Sequence, residues 1–183
     1  MEVLKTTDKI FQKNTDSGDH GLPEVFAFKS IREHENSVDA LCVNPKSEKE
    51  FATASHDQVI KIWDAPNFKC RSTLKGHTKG VWSLAYDNDG KRLLSCSPDA
   101  TATIWDIKSG KVITDLVGHE LYCYKAAFDS DSAYVATVGA DKKMMYWDLR
   151  NAAKPVFENA ESKAVLMGCD FMPNDQQIIT TSI

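Results

Sequence analysis

The 183-residue sequence has no long apolar run. Its longest uncharged stretches, such as residues 133–140, are about eight residues, whereas a membrane-spanning helix needs about 18 or more. The first residues, MEVLKTTDKIF, lack the apolar core of a secretory signal. Positive charge is not in excess: 22 Lys and Arg stand against 26 Asp and Glu, a net charge of −4. That argues against a nucleic-acid binder working through a broad basic surface. Cysteine is sparse and odd in number. Residues 42, 70, 96, 123 and 169 show no C-x-x-C spacing, which fits free thiols in a reducing compartment better than a disulfide framework or a zinc site. A Gly-rich phosphate loop and a nucleophile elbow are also missing.

What the sequence has is a period. Trp63-Asp64, Trp105-Asp106 and Trp147-Asp148 recur every 42 residues. Six residues before each Trp stands an aspartate: Asp57, Asp99 and Asp141. Upstream of these stand His34, His77 and His119, the last two preceded by glycine and the first by Glu33. Each unit holds four short runs rich in β-formers. In the second they are 81–86, 92–97, 101–106 and 111–116, with turn residues at 87–90, 98–100 and 109–110. Four strands joined by tight turns make an antiparallel meander. Such a sheet buries both faces only by stacking on its neighbours.

The registered Gly-His, Asp and Trp-Asp motifs resemble the WD-repeat (WD40) β-propeller family, over roughly residues 25–183. The resemblance implies an all-β propeller with three complete four-stranded blades plus a partial one, expected to belong to a larger, seven-bladed ring. The repeats fall at about 34–75, 77–117 and 119–160, with a partial unit at 165–183. Strands of the first are expected near 37–43, 50–55, 59–63 and 69–74, and of the third near 122–128, 133–138, 142–148 and 154–158. Residues 1–23 form an N-terminal segment, in which 6–14 reads as a degenerate strand; the propeller runs over 24–183. The two ends could instead share one blade and close a four-bladed ring. If the chain stops at these ends, another chain could complete the propeller.

In the family, a His, a hydroxyl, an Asp and a Trp of one blade form a hydrogen-bonded tetrad. Carried over, the sets are His34, Ser55, Asp57, Trp63 and His77, Ser97, Asp99, Trp105. The third blade offers His119, Asp141 and Trp147. There Gly139 takes the Ser position, so that network is expected to lack its hydroxyl link. On that basis Asp99→Ala should destabilise more than Asp141→Ala. A His, Ser and Asp together invite a catalytic reading, but a set repeated once per blade beside a Trp reads as structural. The histidines belong to different blades, which argues against a metal site. No catalytic residue and no cofactor are assigned.

The resemblance also implies top-face binding positions. These are Asp39, Trp82 and Tyr124, with Ser37, Gly80 and Tyr122 two places earlier, and His56, Pro98 and Ala140 before each tetrad Asp. Trp82, Tyr122 and Tyr124 would form an aromatic patch on adjacent blades, the kind of anchor that dominates interface energetics. On the opposite side, Trp147-Asp148-Leu149-Arg150 resembles the W-D-x-R box through which some WD-repeat proteins dock as substrate receptors of cullin-RING ubiquitin ligases. The expected function is a non-enzymatic scaffold for protein–protein interaction and complex assembly, with the ligase receptor, read through Arg150, as the alternative. Its partners would be other proteins, not membranes or nucleic acid. The expected setting is the cytoplasm, with the nucleus or a cytoskeletal assembly as alternatives.

Overall fold

A computed structural model describes residues 8–13 and 25–183, with side chains from Ile31 onward. The remaining residues of the N-terminal segment, 1–7 and 14–24, lie outside the described residues. Among the described residues the regular elements are all β-strands, apart from one 3₁₀ turn at Leu149–Asn151. No helix among the described residues is long and apolar enough to cross a membrane.

Three four-stranded antiparallel sheets follow one another along the chain. The first contains β3 (Val38–Val43), β4 (Glu50–Ser55), β5 (Val59–Asp64) and β6 (Lys69–Lys75). The second contains β7 (Ser83–Tyr86), β8 (Arg92–Cys96), β9 (Thr101–Asp106) and β10 (Lys111–Val117). The third contains β11 (Cys123–Phe128), β12 (Tyr134–Gly139), β13 (Met144–Asp148) and β14 (Phe157–Asn159). Two-stranded sheets flank them: β1 (Asp8–Lys13) with β2 (Val25–Ile31), and β15 (Leu166–Phe171) with β16 (Ile178–Ser182). These two small sheets are not hydrogen-bonded to each other, so the described chain does not join its ends into one shared sheet.

Each four-stranded sheet is a meander, since every strand pairs with the next one along the chain. The turn between the second and third strands is the same in all three sheets. Gln58, Ala100 and Lys142 take positive φ values of 72°, 72° and 65°. A residue with a Cβ resists that conformation. The preceding aspartate compensates, its carboxylate accepting from the backbone N–H two residues on: Val59, Thr101 and Lys143. The fourth strand of the third sheet is shorter and later than expected. Asp148 caps the 3₁₀ turn and Pro155 follows, so pairing with β13 resumes only at Phe157 opposite Tyr146.

The core lies between sheets. Ile60, Ile62 and Leu74 of the first meet Leu84, Leu93 and Trp105 of the second. Leu94, Ile104 and Leu116 of the second meet Val135, Met145 and Trp147 of the third. Val138 of the third packs on Leu166 and Cys169. Each repeat Trp thus seals its sheet against the preceding one, and Trp63 does so against Ile31 at the end of β2. All three are 0–1% exposed. Gly76 and Gly118 permit this, since a Cβ at either would meet the indole of Trp105 or Trp147 at about 3 Å. Successive sheets touch mainly through their first strands β3, β7, β11 and β15.

Candidate functional site

Each of the three sheets contains a closed polar network around its Trp. In the second, His77 Nδ1 lies 2.9 Å from Asp99 Oδ2, and Nε2 lies 2.7 Å from Ser95 Oγ. The Trp105 indole N–H donates to the same oxygen at 2.8 Å. In the first sheet, His34 links Asp57 at 2.8 Å and Thr53 Oγ1 at 2.7 Å, and Trp63 donates to Thr53 at 2.8 Å. In the third, His119 links Asp141 at 2.9 Å and Thr137 Oγ1 at 2.8 Å, and Trp147 donates to Thr137 at 3.0 Å. The partners set the tautomer: Nδ1 carries the proton toward Asp, and Nε2 accepts from the hydroxyl.

The hydroxyl is therefore Thr53, Ser95 and Thr137, not the expected Ser55 and Ser97. The reason is strand register. Trp63 stands opposite Phe51, and Trp105 opposite Leu93. The indole reaches the residue two further along the same face, which is Thr53 or Ser95; Ser55 and Ser97 lie four along, a further 6–7 Å or so. Those two serines instead accept the backbone N–H of Asp57 and Asp99, bracing the turn. Nor does Gly139 deprive the third network of its hydroxyl, because Thr137 supplies it. What Gly139 removes is only the brace on the turn.

Burial alone would raise the Asp99 carboxyl, but hydrogen bonds from His77, Thr101 and the Thr78 N–H outweigh it and hold the group well below the usual carboxylate range. Asp57 is lowered for the same reasons, through Glu35 N–H and His34. The Asp–His–hydroxyl geometry is that of a catalytic triad. Here, though, the hydroxyl also receives an indole N–H, and Thr53, Ser95 and Thr137 are 0–1% exposed. No group of three metal-ligating side chains occurs among the described residues.

A different set of residues converges at the surface. Trp82 stacks on Tyr124 at 5.3 Å between ring centroids and 12° between planes. Tyr122 stands edge-on to both, at 5.7 and 6.4 Å. His56 joins from the first sheet, 6.1 Å from Trp82, and accepts the indole N–H on Nε2 at 3.4 Å. Its Nδ1 lies 2.5 Å from Asp39 Oδ2. Lys79 holds its ammonium 5.6 Å over the Tyr122 ring. Five of the six candidate binding residues, Asp39, His56, Trp82, Tyr122 and Tyr124, thus form one continuous array across three sheets. Local turns aim them: the Gly80 backbone sits against His56, where a Cβ would approach its Cα to 2.9 Å. Among the neighbouring positions singled out from the sequence, Pro98 is buried and Ser37 exposed. Lys79 carried no signal in the sequence, since only the fold brings it over a ring 43 positions away.

Arg150 lies apart from this array. Its guanidinium forks onto Asp148, with Nε–Oδ1 at 2.8 Å, and reaches the Tyr134 hydroxyl at 2.7 Å. It is exposed but held, with Tyr134 stacked beneath it at 5.5 Å.

A family model described as WD domain, G-beta repeat matches residues 27–64, 68–106 and 110–148. Among curated relatives, nuclear distribution protein nudF 1 of Talaromyces marneffei is 35% identical over 97 residues, covering 52% of this chain and 21% of that protein. The lissencephaly-1 homolog of Monosiga brevicollis is 31% identical over 94 residues, covering 51% and 23%. A probable coatomer subunit beta' of Caenorhabditis elegans is 38% identical over 68 residues, covering 35% and 6%. The chain therefore spans less than a quarter of the length of these relatives.

Proposed function

The chain belongs to the WD-repeat family, and from that premise we propose that it is a non-enzymatic scaffold that holds other proteins in a complex. The observation that carries this reading is the surface array of Asp39, His56, Trp82, Tyr122 and Tyr124. Aromatic rings locked by stacked and edge-to-face contacts at the starts of strands lose little entropy when a partner covers them, and such residues supply much of the energy of protein interfaces. The triad-like networks support it from the other side. Their reactive atoms are buried, shared with an indole and repeated in every blade, which suits a structural role. One relative is by name a subunit, the probable coatomer subunit beta', which agrees with this reading. A cytoplasmic setting is proposed with it, with the nucleus or a cytoskeletal assembly as alternatives.

The test is capture of interacting proteins by the native chain and by a Trp82→Ala/Tyr124→Ala variant whose circular dichroism and melting temperature match native. Partners held by the native chain and lost by the variant support the scaffold reading. An identical partner set removes this face from it. The ligase-receptor alternative uses Arg150, whose guanidinium is exposed in a fixed orientation. It predicts capture of a cullin-RING adaptor that Arg150→Ala abolishes and Trp82→Ala leaves intact.

A further inference from the structure

A groove of about 620 Å³ runs along the inner strands, walled by the Trp82–Tyr124 stack and continuing past Leu41 and Met167. Those two side chains are apolar yet 58% and 38% exposed. Lys125 lines the groove, and it also lines a smaller cavity of about 190 Å³ beside Ala85, Asn88 and Asp170. Lys125 is half-buried, but none of the described ion pairs includes it. On the other side of the stack, Lys79 rests on Tyr122 without a carboxylate either. The carboxylate at the groove mouth, Asp39, is already bonded to His56. Among the described residues neither ammonium is held in an ion pair: Lys79 is exposed beside the stack, and Lys125 shares the groove with Asp39 and the smaller cavity with Asp170 without a salt bridge to either. Covering a half-buried ammonium further costs free energy unless the covering molecule brings an acceptor.

We infer that this groove takes an acidic segment of a partner protein. A Glu or Asp carboxylate pairs with Lys125, and a neighbouring apolar or aromatic side chain lies on Leu41, Met167 and the Trp82–Tyr124 stack. The inference rests on the scaffold reading and names its partner chemistry. A basic segment fits less well: both lysines repel it, and Asp39 already has a partner.

The probe is a capped heptapeptide alternating glutamate and phenylalanine, with counterparts carrying glutamine or lysine in place of glutamate. Trp82 emission is the readout, because the other three tryptophans are buried at 0–1%. The glutamate peptide is expected to shift that emission saturably and to bind roughly ten-fold tighter than the glutamine peptide, as a charge-assisted hydrogen bond allows. Raising salt from about 50 to about 300 mM should weaken the first and spare the second. Lys125→Gln should equalise the two peptides, and Lys125→Glu should reverse the preference toward the lysine peptide. Equal binding of glutamate and glutamine peptides by the native chain overturns the proposal, as does tighter binding of the lysine peptide or an unchanged order in Lys125→Gln. Partner capture that needs Trp82 but is indifferent to Lys125 leaves the scaffold standing and removes only this inference.

Discussion

The Trp147 indole N–H and His119 Nε2 meet on one oxygen, the Thr137 hydroxyl, at 3.0 and 2.8 Å. The third sheet therefore has the same closed network as the first two, despite Gly139 in place of serine. Among the described residues, no buried side-chain nitrogen or oxygen lacks a partner.

Thr137→Val should cost on the order of 2–3 kcal/mol, because it keeps the shape but strands a buried indole N–H and a buried imidazole nitrogen. Thr53→Val should cost a similar amount. Ser55→Ala and Ser97→Ala, which remove only an acceptor for a turn N–H, should cost less. Urea unfolding of the four variants gives the ranking.

Asp99 and Asp141 should matter about equally, since both anchor complete networks. Asp99→Ala and Asp141→Ala are therefore expected to lower the melting temperature by similar amounts, with Asp99 ahead only through its bond from Thr101 Oγ1. Calorimetry of the pair decides it.

Acid should destabilise the native chain partly through Asp99. Its folded carboxyl is depressed, so its contribution is complete above the unfolded value near 3.9 and is lost as pH falls below that toward the folded one. Asp99→Asn should be less stable than native at pH 7, and the gap should narrow by about pH 3. Melting curves at the two pH values check the sign.

Gly90→Ala should destabilise by about 1–3 kcal/mol. Gly90 holds φ at +68°, and a Cβ there would overlap the Asn44 side chain, which itself donates to the Gly90 carbonyl at 2.9 Å. Because that bond joins the first sheet to the second, the loss should appear as a lower urea midpoint.

Cys42, Cys123 and Cys169 should be inert while the chain is folded. Burial pushes Cys42 and Cys169 up to about 12, and a hydrogen bond with Cys96 together with burial raises Cys123. Only the thiolate reacts. Iodoacetamide at about pH 8 should spare these three in native protein and label all five cysteines in denaturant, as read by peptide mapping.

Much of this was legible without coordinates. The 42-residue period marks the sheets, because a motif that recurs in register must occupy equivalent places in equivalent units. The four β-rich runs per unit mark the strands, and the His, Asp and Trp of each network follow from their fixed spacing. The hydroxyl did not. Ser55 and Ser97 sit nearest the Asp in sequence and share the face of Thr53 and Ser95, but cross-strand register places them two residues further from the indole. Nor was the end of the third sheet legible, because the Asp148 cap and the 3₁₀ turn delay β14.

The aromatic array divides along the same line. The positions of Trp82, Tyr122 and Tyr124 relative to their Gly-His pairs marked them from the sequence as surface candidates. Their stacking, the bond from Trp82 to His56 and the placement of Lys79 and Lys125 around them depend on the angle between neighbouring sheets. That angle is a property of the packed interface, where Trp105 and Trp147 seal one sheet onto the next. By itself the sequence determined what each sheet contains, since strand and turn preferences are local and repeat with the period. Only the tertiary structure decided which side chains of different sheets meet, because those contacts are set by packing across distances that no local pattern encodes.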